Sequence, residues 1–442
     1  MTFAGLRAER VGRGKALRRQ TPRDHHGQLL GPGRRDANAI VNAQNARRLP
    51  SLIELRRKLM AADPFAYLRG AAAVMAHDLQ YQPMAGIPVQ ACGDCHLMNF
   101  GAFVTPEDNI IFDINDFDET LPGVDFTVDL KRLATSFVVA AEAMGAAKSR
   151  RAEIAASVVK AYRKRLIGLS HMSPLEVWHS RIDLEDEVRK FSSADLRRKL
   201  EVLIDRARGE GLDRDDNFPK LCEGGAPHIA DKPPRIFHFP PDSDAGRGID
   251  PATAFARYRA GLAPHIGLLY DRYALKDFVF KAVGVGSVGT YCYVGLFAGG
   301  DGEPLLLQIK EAAPSVLEAL DPGLAHGGRQ GQRVVEGQRM MQAASDIFLG
   351  WTEHEASGRQ YYVRRLKNRR LGEAGDIAEA DGLEDYAKLC GRTLARSHAR
   401  SGDPAVLAGY MGDSEAMDQA IAEFALAYAK RNEADHAAFA AK

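Results

Sequence analysis

The sequence predicts a mixed α+β chain in two lobes, one mainly helical and one a small antiparallel sheet, and three observations carry that expectation. Early and late stretches of the 442 residues repeat apolar side chains at helical spacing. The block VFKAVGVGSVGTYCYVGLFAGGDGEPLLLQIK, from 279 onward, is instead β-branched and aromatic, with glycine turns inside it. Before it, residues 222–250 are rich in Pro, Gly, Asp and His and read as a lobe boundary.

The elements follow in order. Residues 1–49 read as a basic N-terminal arm, partly disordered, because Arg7, Arg10, Arg13, Lys15, Arg18, Arg19 and Arg23 crowd together with Gly and Pro among them. A mainly helical region spans 50–270. It opens with two helices broken at Asp63-Pro64, the second carrying Phe65, Leu68, Ala72 and Met75 near helical spacing. Strands at 99–104 and 110–114 flank a turn, and 127–170 is helical through Leu130, Leu133, Phe137, Val138 and Ala141. More helix runs to about 210 and again over 251–275. The β-sheet region spans 271–370, with three strands from 278, a helix over 331–345 and a strand at 361–366. Ala-rich helices in 371–442 complete the chain and pack on the large lobe.

A net charge of +1 gives no global attraction for nucleic acid or membrane; the basic arm reads as a solvated face, with binding of an anionic partner such as nucleic acid as the alternative. No segment approaches the ~18 consecutive apolar residues of a membrane span. The first residues lack an apolar h-region, and the five cysteines are odd in number and unpaired by pattern; a reducing cytoplasm is the expected location.

The decapeptide CGDCHLMNFG at 92–101 overlays two patterns. Cys92-x-x-Cys95-His96 has the spacing of a haem attachment site or, without the His, of a redox dithiol. Haem attachment does not suit a cytoplasmic chain, and a redox dithiol should open a helix, whereas a strand follows here. Asp94 with Asn99 has instead the spacing of a phosphotransferase catalytic loop.

Phosphoryl transfer from a nucleotide requires a flexible cover over the phosphates, a cation, oxygen ligands for a metal and a group that takes the acceptor's proton. Each has a candidate. Gly284-Val-Gly286-Ser287-Val-Gly289 lies between strand-like runs, so backbone can approach phosphates closely. Lys310 ends the apolar run LLLQI, and Glu336 on the next helix is its expected partner, with Glu311 and Glu318 as alternatives. Asp94 and His96 are the candidate catalytic residues, His96 as an orienting group. Asn99, Asp116 and Asp118 are candidate metal ligands, whose oxygen donors suit magnesium or manganese.

These motifs resemble the aminoglycoside-phosphotransferase and choline-kinase branch of the protein-kinase-like superfamily. Gly93, Asp94, His96 and Asn99 match its His-Gly-Asp-x-His-x-x-Asn loop, with Cys92 in place of the first histidine. Asp116-Phe117 match its second motif, and Asp129-Leu130 its following element, in which the aspartate supports the catalytic loop. The chain is also similar to a bacterial family of uncharacterised proteins sharing GDxHxxNFG, NDFDET, DLKRLAxS, QxKEA, GQR and ARSHARSGD. Here the glycine loop and lysine follow the catalytic loop rather than precede it. The resemblance therefore implies a two-lobed, circularly permuted kinase-like fold. Either 394–403 or 65–80 then stands where a helix precedes the catalytic loop.

The expected function is an ATP- and magnesium-dependent phosphotransferase acting on an unidentified small-molecule or protein hydroxyl. The alternatives are a nucleotide-binding pseudokinase, an AMP-transferring enzyme, or a metal hydrolase without nucleotide.

Overall fold

A computed structural model describes residues 5–31, 35–208, 219–222, 227–366 and 381–442. The outer ends of several expected segments, among them the helix to 210 and the boundary at 370, fall outside these residues. The architecture is α+β with antiparallel sheets. Its strands are β1 (Pro88–Ala91), β2 (Phe100–Val104), β3 (Ile110–Ile114), β4 (Leu121–Asp125), β5 (Ile236–Phe237), β6 (Ala274–Lys281), β7 (Cys292–Ala298), β8 (Pro304–Glu311), β9 (Gly350–His354) and β10 (Arg359–Arg365). Two small ladders pair β1 with β4 and β2 with β3, while the main sheet runs β5-β6-β7-β8-β10-β9.

Alternation along the main sheet decides which residues meet the helical region. Successive strand side chains point to opposite faces. Leu305, Leu307 and Ile309 of β8 join Tyr293 and Phe297 of β7 and Tyr361 and Val363 of β10 in one apolar cluster. Leu306, Gln308 and Lys310 therefore share the other face. Opposite Lys310 stand Cys292 on one neighbouring strand and Tyr362 on the other.

The largest core lies in the helical region. The expected helix over 127–170 is two, Thr127–Ala143 and Lys148–Leu169, divided at Gly145 with φ +77°. Thr127–Ala143 is buried from Thr127 to Ala141 on all sides, so its polar residues Asp129, Arg132 and Ser136 must find partners inside the protein. The helices Leu383–Ser401 and Ala416–Ala440 pack against this pair.

Other boundaries differ from expectation for local reasons. Residues 50–80 hold three helices: Asp63 caps Pro64–Gly70 by accepting from Ala66 N at 2.7 Å, and a further break at Ala71 starts Ala72–Leu79. The stretch 251–275 breaks at Pro264 into Pro251–Gly261 and Pro264–Tyr270, then enters β6 at Ala274. The described part of the basic arm is largely folded. Helix Arg7–Leu17 packs on helix Pro404–Met411, whose terminal carbonyls accept from Arg18 Nε (Tyr410 O, 2.9 Å) and Arg23 Nη1 (Met411 O, 2.7 Å). Cations at a helix C-terminus satisfy carbonyls that have no intrahelical donor. Among the described residues no helix is long and apolar enough to cross a membrane.

Asp113, a carboxylate inside β3, is fully buried against Arg396 at 2.5 Å and also accepts from Ala343 N at 2.8 Å. This pair ties the β2–β3 hairpin to the Leu383–Ser401 helix. Removing one partner leaves an uncompensated buried charge. Asp113→Ala is expected to cost about 3–5 kcal/mol in urea denaturation, and the Asp113→Ala/Arg396→Met double variant less than the sum of the singles.

Candidate functional site

Between the cleft face of the main sheet and the helical region lies a cavity of about 260 Å³. Asp94, His96, Asn99, Asp116 and Asp118 line it from the helical side, and Gly284, Gly286, Ser287 and Lys310 from the sheet side. Nine of the eleven candidate residues thus share one space. Gly289 and Glu336 do not line it.

The loop carrying Asp94 is held from behind. Gly93 adopts φ +91°, and a Cβ there would come within 2.4 Å of the Glu119 carbonyl oxygen, so only glycine fits. The buried Asp129 carboxylate accepts from the amides of Cys92 (2.7 Å) and Gly93 (2.9 Å). His398 Nε2 lies 3.1 Å from the same carboxylate, and its Nδ1 lies 2.8 Å from Tyr162 Oη. Leu97 N donates to Ser136 Oγ at 3.0 Å, while Tyr386 Oη donates to Leu97 O at 2.7 Å. The helix bearing ARSHARSGD therefore braces the loop, and the helix Pro64–Gly70 stands on its other side, where Leu68 O accepts from Arg132 at 3.0 Å.

Arg132 donates from Nε to Asp94 Oδ1 at 2.7 Å and from Nη2 to the same oxygen. This leaves Oδ2 toward the glycine loop: a Cβ at Gly286 would be 4.0 Å from it. Burial raises the Asp94 carboxyl above its ordinary range, and Arg132 offsets only part of that rise. Burial, with Arg69 and Arg132 nearby, holds His96 well below the usual imidazole range, so the ring is neutral. Its Nδ1 accepts from Met98 N at 3.2 Å, which puts the proton on Nε2, 3.7 Å from Asp94 Oδ2. Asn99 Nδ2 donates to Asp94 O at 2.6 Å, fixing the amide and leaving its oxygen as a possible ligand.

Lys310 is buried, and its ammonium pairs with Asp118 Oδ2 and lies 3.8 Å from Asp116 Oδ2. Burial would lower its pKa, but Asp116 and then Asp118 outweigh that and raise it above the usual lysine value. Asp118 also accepts from Tyr362 Oη (2.8 Å) and from Ser287 Oγ of the glycine loop (3.2 Å). Glu336, the expected lysine partner, is instead exposed and accepts from Gln332 Nε2 at 2.7 Å. Its helix, Gln330–Met341, buries the opposite stripe of Arg333, Val334, Gly337, Gln338 and Met341. Arg333 from that stripe binds the acidic turn, donating to Asp118 O (2.9 Å), Ala313 O (2.8 Å) and Thr120 O. Gly289 closes the far end of the glycine loop, where its carbonyl accepts from Leu49 N at 2.7 Å.

Several cleft residues went unrecognised in the sequence. Arg48 donates to the glycine-loop carbonyls of Val288 (2.6 Å) and Gly286 (2.9 Å). Arg364 donates to Gln308 Oε1 (3.0 Å) and Asn115 O (3.2 Å). Arg69 and Gln338 also line the cavity. The motif QxKEA holds a signal for Gln308, two residues before Lys310 and hence on the same strand face; the others carry no local signal. Cys92 and Cys95 are buried behind the loop. Their mutual hydrogen bond and burial raise the Cys92 thiol, and burial raises Cys95 to about 11, so neither is a thiolate at neutral pH.

Among the described residues no group of three or more His, Cys, Asp or Glu side chains is arranged as a metal cage. Two carboxylates and an amide oxygen, Asp116, Asp118 and Asn99, fit a hard cation that completes its shell with waters and ligand phosphates, as magnesium does. The class defined so far is an α+β protein with a mixed-charge cleft between a glycine-loop sheet and a buttressed acidic loop. The chain belongs to the family described as an uncharacterized protein conserved in bacteria (DUF2252), which it matches over residues 48–442. No curated protein and no solved structure matches it.

Asp129 supplies a charged acceptor to two backbone amides, and such bonds are each worth about 1.5–3 kcal/mol. Asp129→Asn keeps one acceptor oxygen and is expected to lose at least about 1.5 kcal/mol in urea denaturation. Unchanged stability would show that these amides do not depend on the carboxylate.

Proposed function

We propose that the protein is an ATP- and magnesium-dependent phosphotransferase built on a circularly permuted kinase-like plan. The observation that carries this reading is the sharing of one cleft by two distant stretches, 94–118 and 284–310, with Lys310 paired to Asp118 and close to Asp116. The glycine loop lies between two strands, the lysine stands on the next strand and a helix follows, which is the order in which kinases assemble their phosphate-binding half.

In this reading Gly284, Gly286 and Ser287 cover the phosphates, and Lys310 neutralises them. Asn99, Asp116 and Asp118 would hold magnesium, which when bound supplies charge neutralisation between the nucleotide phosphates. Asp94 offers Oδ2 to the acceptor hydroxyl while Arg132 fixes Oδ1. Neutral His96 stands beside Oδ2, with Nε2 3.7 Å away, and its orienting role would require this gap to close when the acceptor binds. The acceptor itself is a hydroxyl compound of unassigned structure.

Two variants separate binding from chemistry. Asp94→Ala is expected to leave MgATP affinity near wild type while turnover against a panel of hydroxyl acceptors falls by about 10²–10⁴; wild-type turnover would remove Asp94 from the mechanism. Asp116→Ala is expected to weaken ATP binding in magnesium by about tenfold or more in calorimetry. Unchanged MgATP affinity would mean that Asp116 is not a metal ligand. Product masses report phosphoryl rather than AMP transfer.

A further inference from the structure

The cations of the cleft are almost all engaged. Lys310 is tied to Asp118, Arg132 to Asp94, Arg48 to carbonyls of the glycine loop, and Arg364 to Gln308 and Asn115. Arg69 differs. Its side chain makes no hydrogen bond or ion pair among the described residues, and, unlike the exposed Arg365 at the cleft edge, it holds its Nε buried without a partner. An arginine carries five donors and cannot shed its charge, so a guanidinium without a partner among the described residues has donors to offer a ligand in the cleft.

Its position says which ligand. Arg69 lies in the last turn of the helix Pro64–Gly70, and its carbonyl lies directly under the glycine loop: a Cβ at Gly286 would come 2.9 Å from that oxygen. The side chain runs along the loop, with Nη2 3.9 Å from where a Cβ at Gly284 would be. Its charge also reaches Asp94 and His96. Arg69 thus stands between the glycine loop and the acceptor-side carboxylate, while the metal-ligand candidates Asp116 and Asp118 stand with Lys310.

We infer that Arg69 is a catalytic residue that grips the terminal phosphoryl group of the nucleotide as it passes to the acceptor. This inference rests on the phosphotransferase reading. In the step, the acceptor hydroxyl gives its proton to Asp94 and its oxygen bonds to the terminal phosphorus. The bond from that phosphorus to the bridging oxygen breaks, and its electron pair leaves with the nucleoside diphosphate. Charge spreads over the three equatorial oxygens during transfer, and a planar guanidinium with parallel donors matches two of them.

The test compares wild type, Arg69→Ala and Arg69→Lys by calorimetry with MgADP, MgATP and MgADP–aluminium fluoride, a mimic of the transferring group. Arg69→Ala is expected to bind MgADP like wild type, to lose about tenfold or more in MgATP affinity, and to lose more still for the fluoride complex. Arg69→Lys should recover part of the loss. MgATP and fluoride-complex affinities unchanged in Arg69→Ala would overturn the inference and leave the phosphotransferase reading standing. Equal losses for MgADP and MgATP would also overturn it, by making Arg69 a general support of the cleft. If wild type binds neither nucleotide, the phosphotransferase reading fails and the inference with it.

Discussion

The buried ammonium of Lys310 is the constraint around which the cleft is arranged. A lysine at this depth is costly to fold unless a carboxylate meets it, and the carboxylates come from the acidic turn after β3, on the far side of the cleft. The pairing therefore ties the main sheet to the helical region and sets how the two faces oppose each other. Tyr362 and Ser287 hydrogen-bond the same Asp118 side chain, so the lysine strand, its neighbour and the glycine loop converge on one carboxylate. A ligand with its own negative charge and a divalent cation would replace this internal pair by one of the same sign pattern: phosphate on the ammonium, metal on the carboxylates.

Around that centre, buried arginines do the positioning. Arg132 fixes Asp94, Arg333 gathers three carbonyls of the acidic turn and its neighbourhood, and Arg396 neutralises Asp113 beneath the hairpin. Each is almost fully buried. A planar fork of donors suits this work because one side chain can satisfy several acceptors in fixed geometry. Preorganisation of this kind keeps Asp94, Asn99 and the acidic turn in place before any ligand arrives, which is what charge-stabilising sites require.

Much of this was legible in the sequence, and the reason is local spacing. Asp94, His96 and Asn99 fall in one loop, and Asp116 and Asp118 follow the strand that pairs with it, so a few residues of text carry their geometry. The glycine hairpin and Lys310 are readable in the same way. Periodicity does not place Glu336, because the inward face of a short amphipathic helix stays open when Arg and Gln occupy part of the buried stripe. Arg48 and Arg69 reach the cleft only through tertiary packing of the segment before the Asp94 loop, and nothing in their neighbours marks them. Charge alone describes the basic arm as a solvated face, whereas two of its cations, Arg18 and Arg23, cap carbonyls contributed by a helix nearly 400 positions away. Gly145 and Pro264 do mark their helix breaks. Strand β9, GWTEH, is short and polar and took its state from pairing with β10.

The central claim is that two stretches far apart in the chain hold one polyphosphate between them. Amide hydrogen exchange followed with increasing MgATP tests it most directly. The account predicts protection of 93–101 and of 283–291 together, with one shared concentration dependence and with loss of both when magnesium is chelated. Protection of one stretch without the other, or of neither at saturating nucleotide, would contradict it.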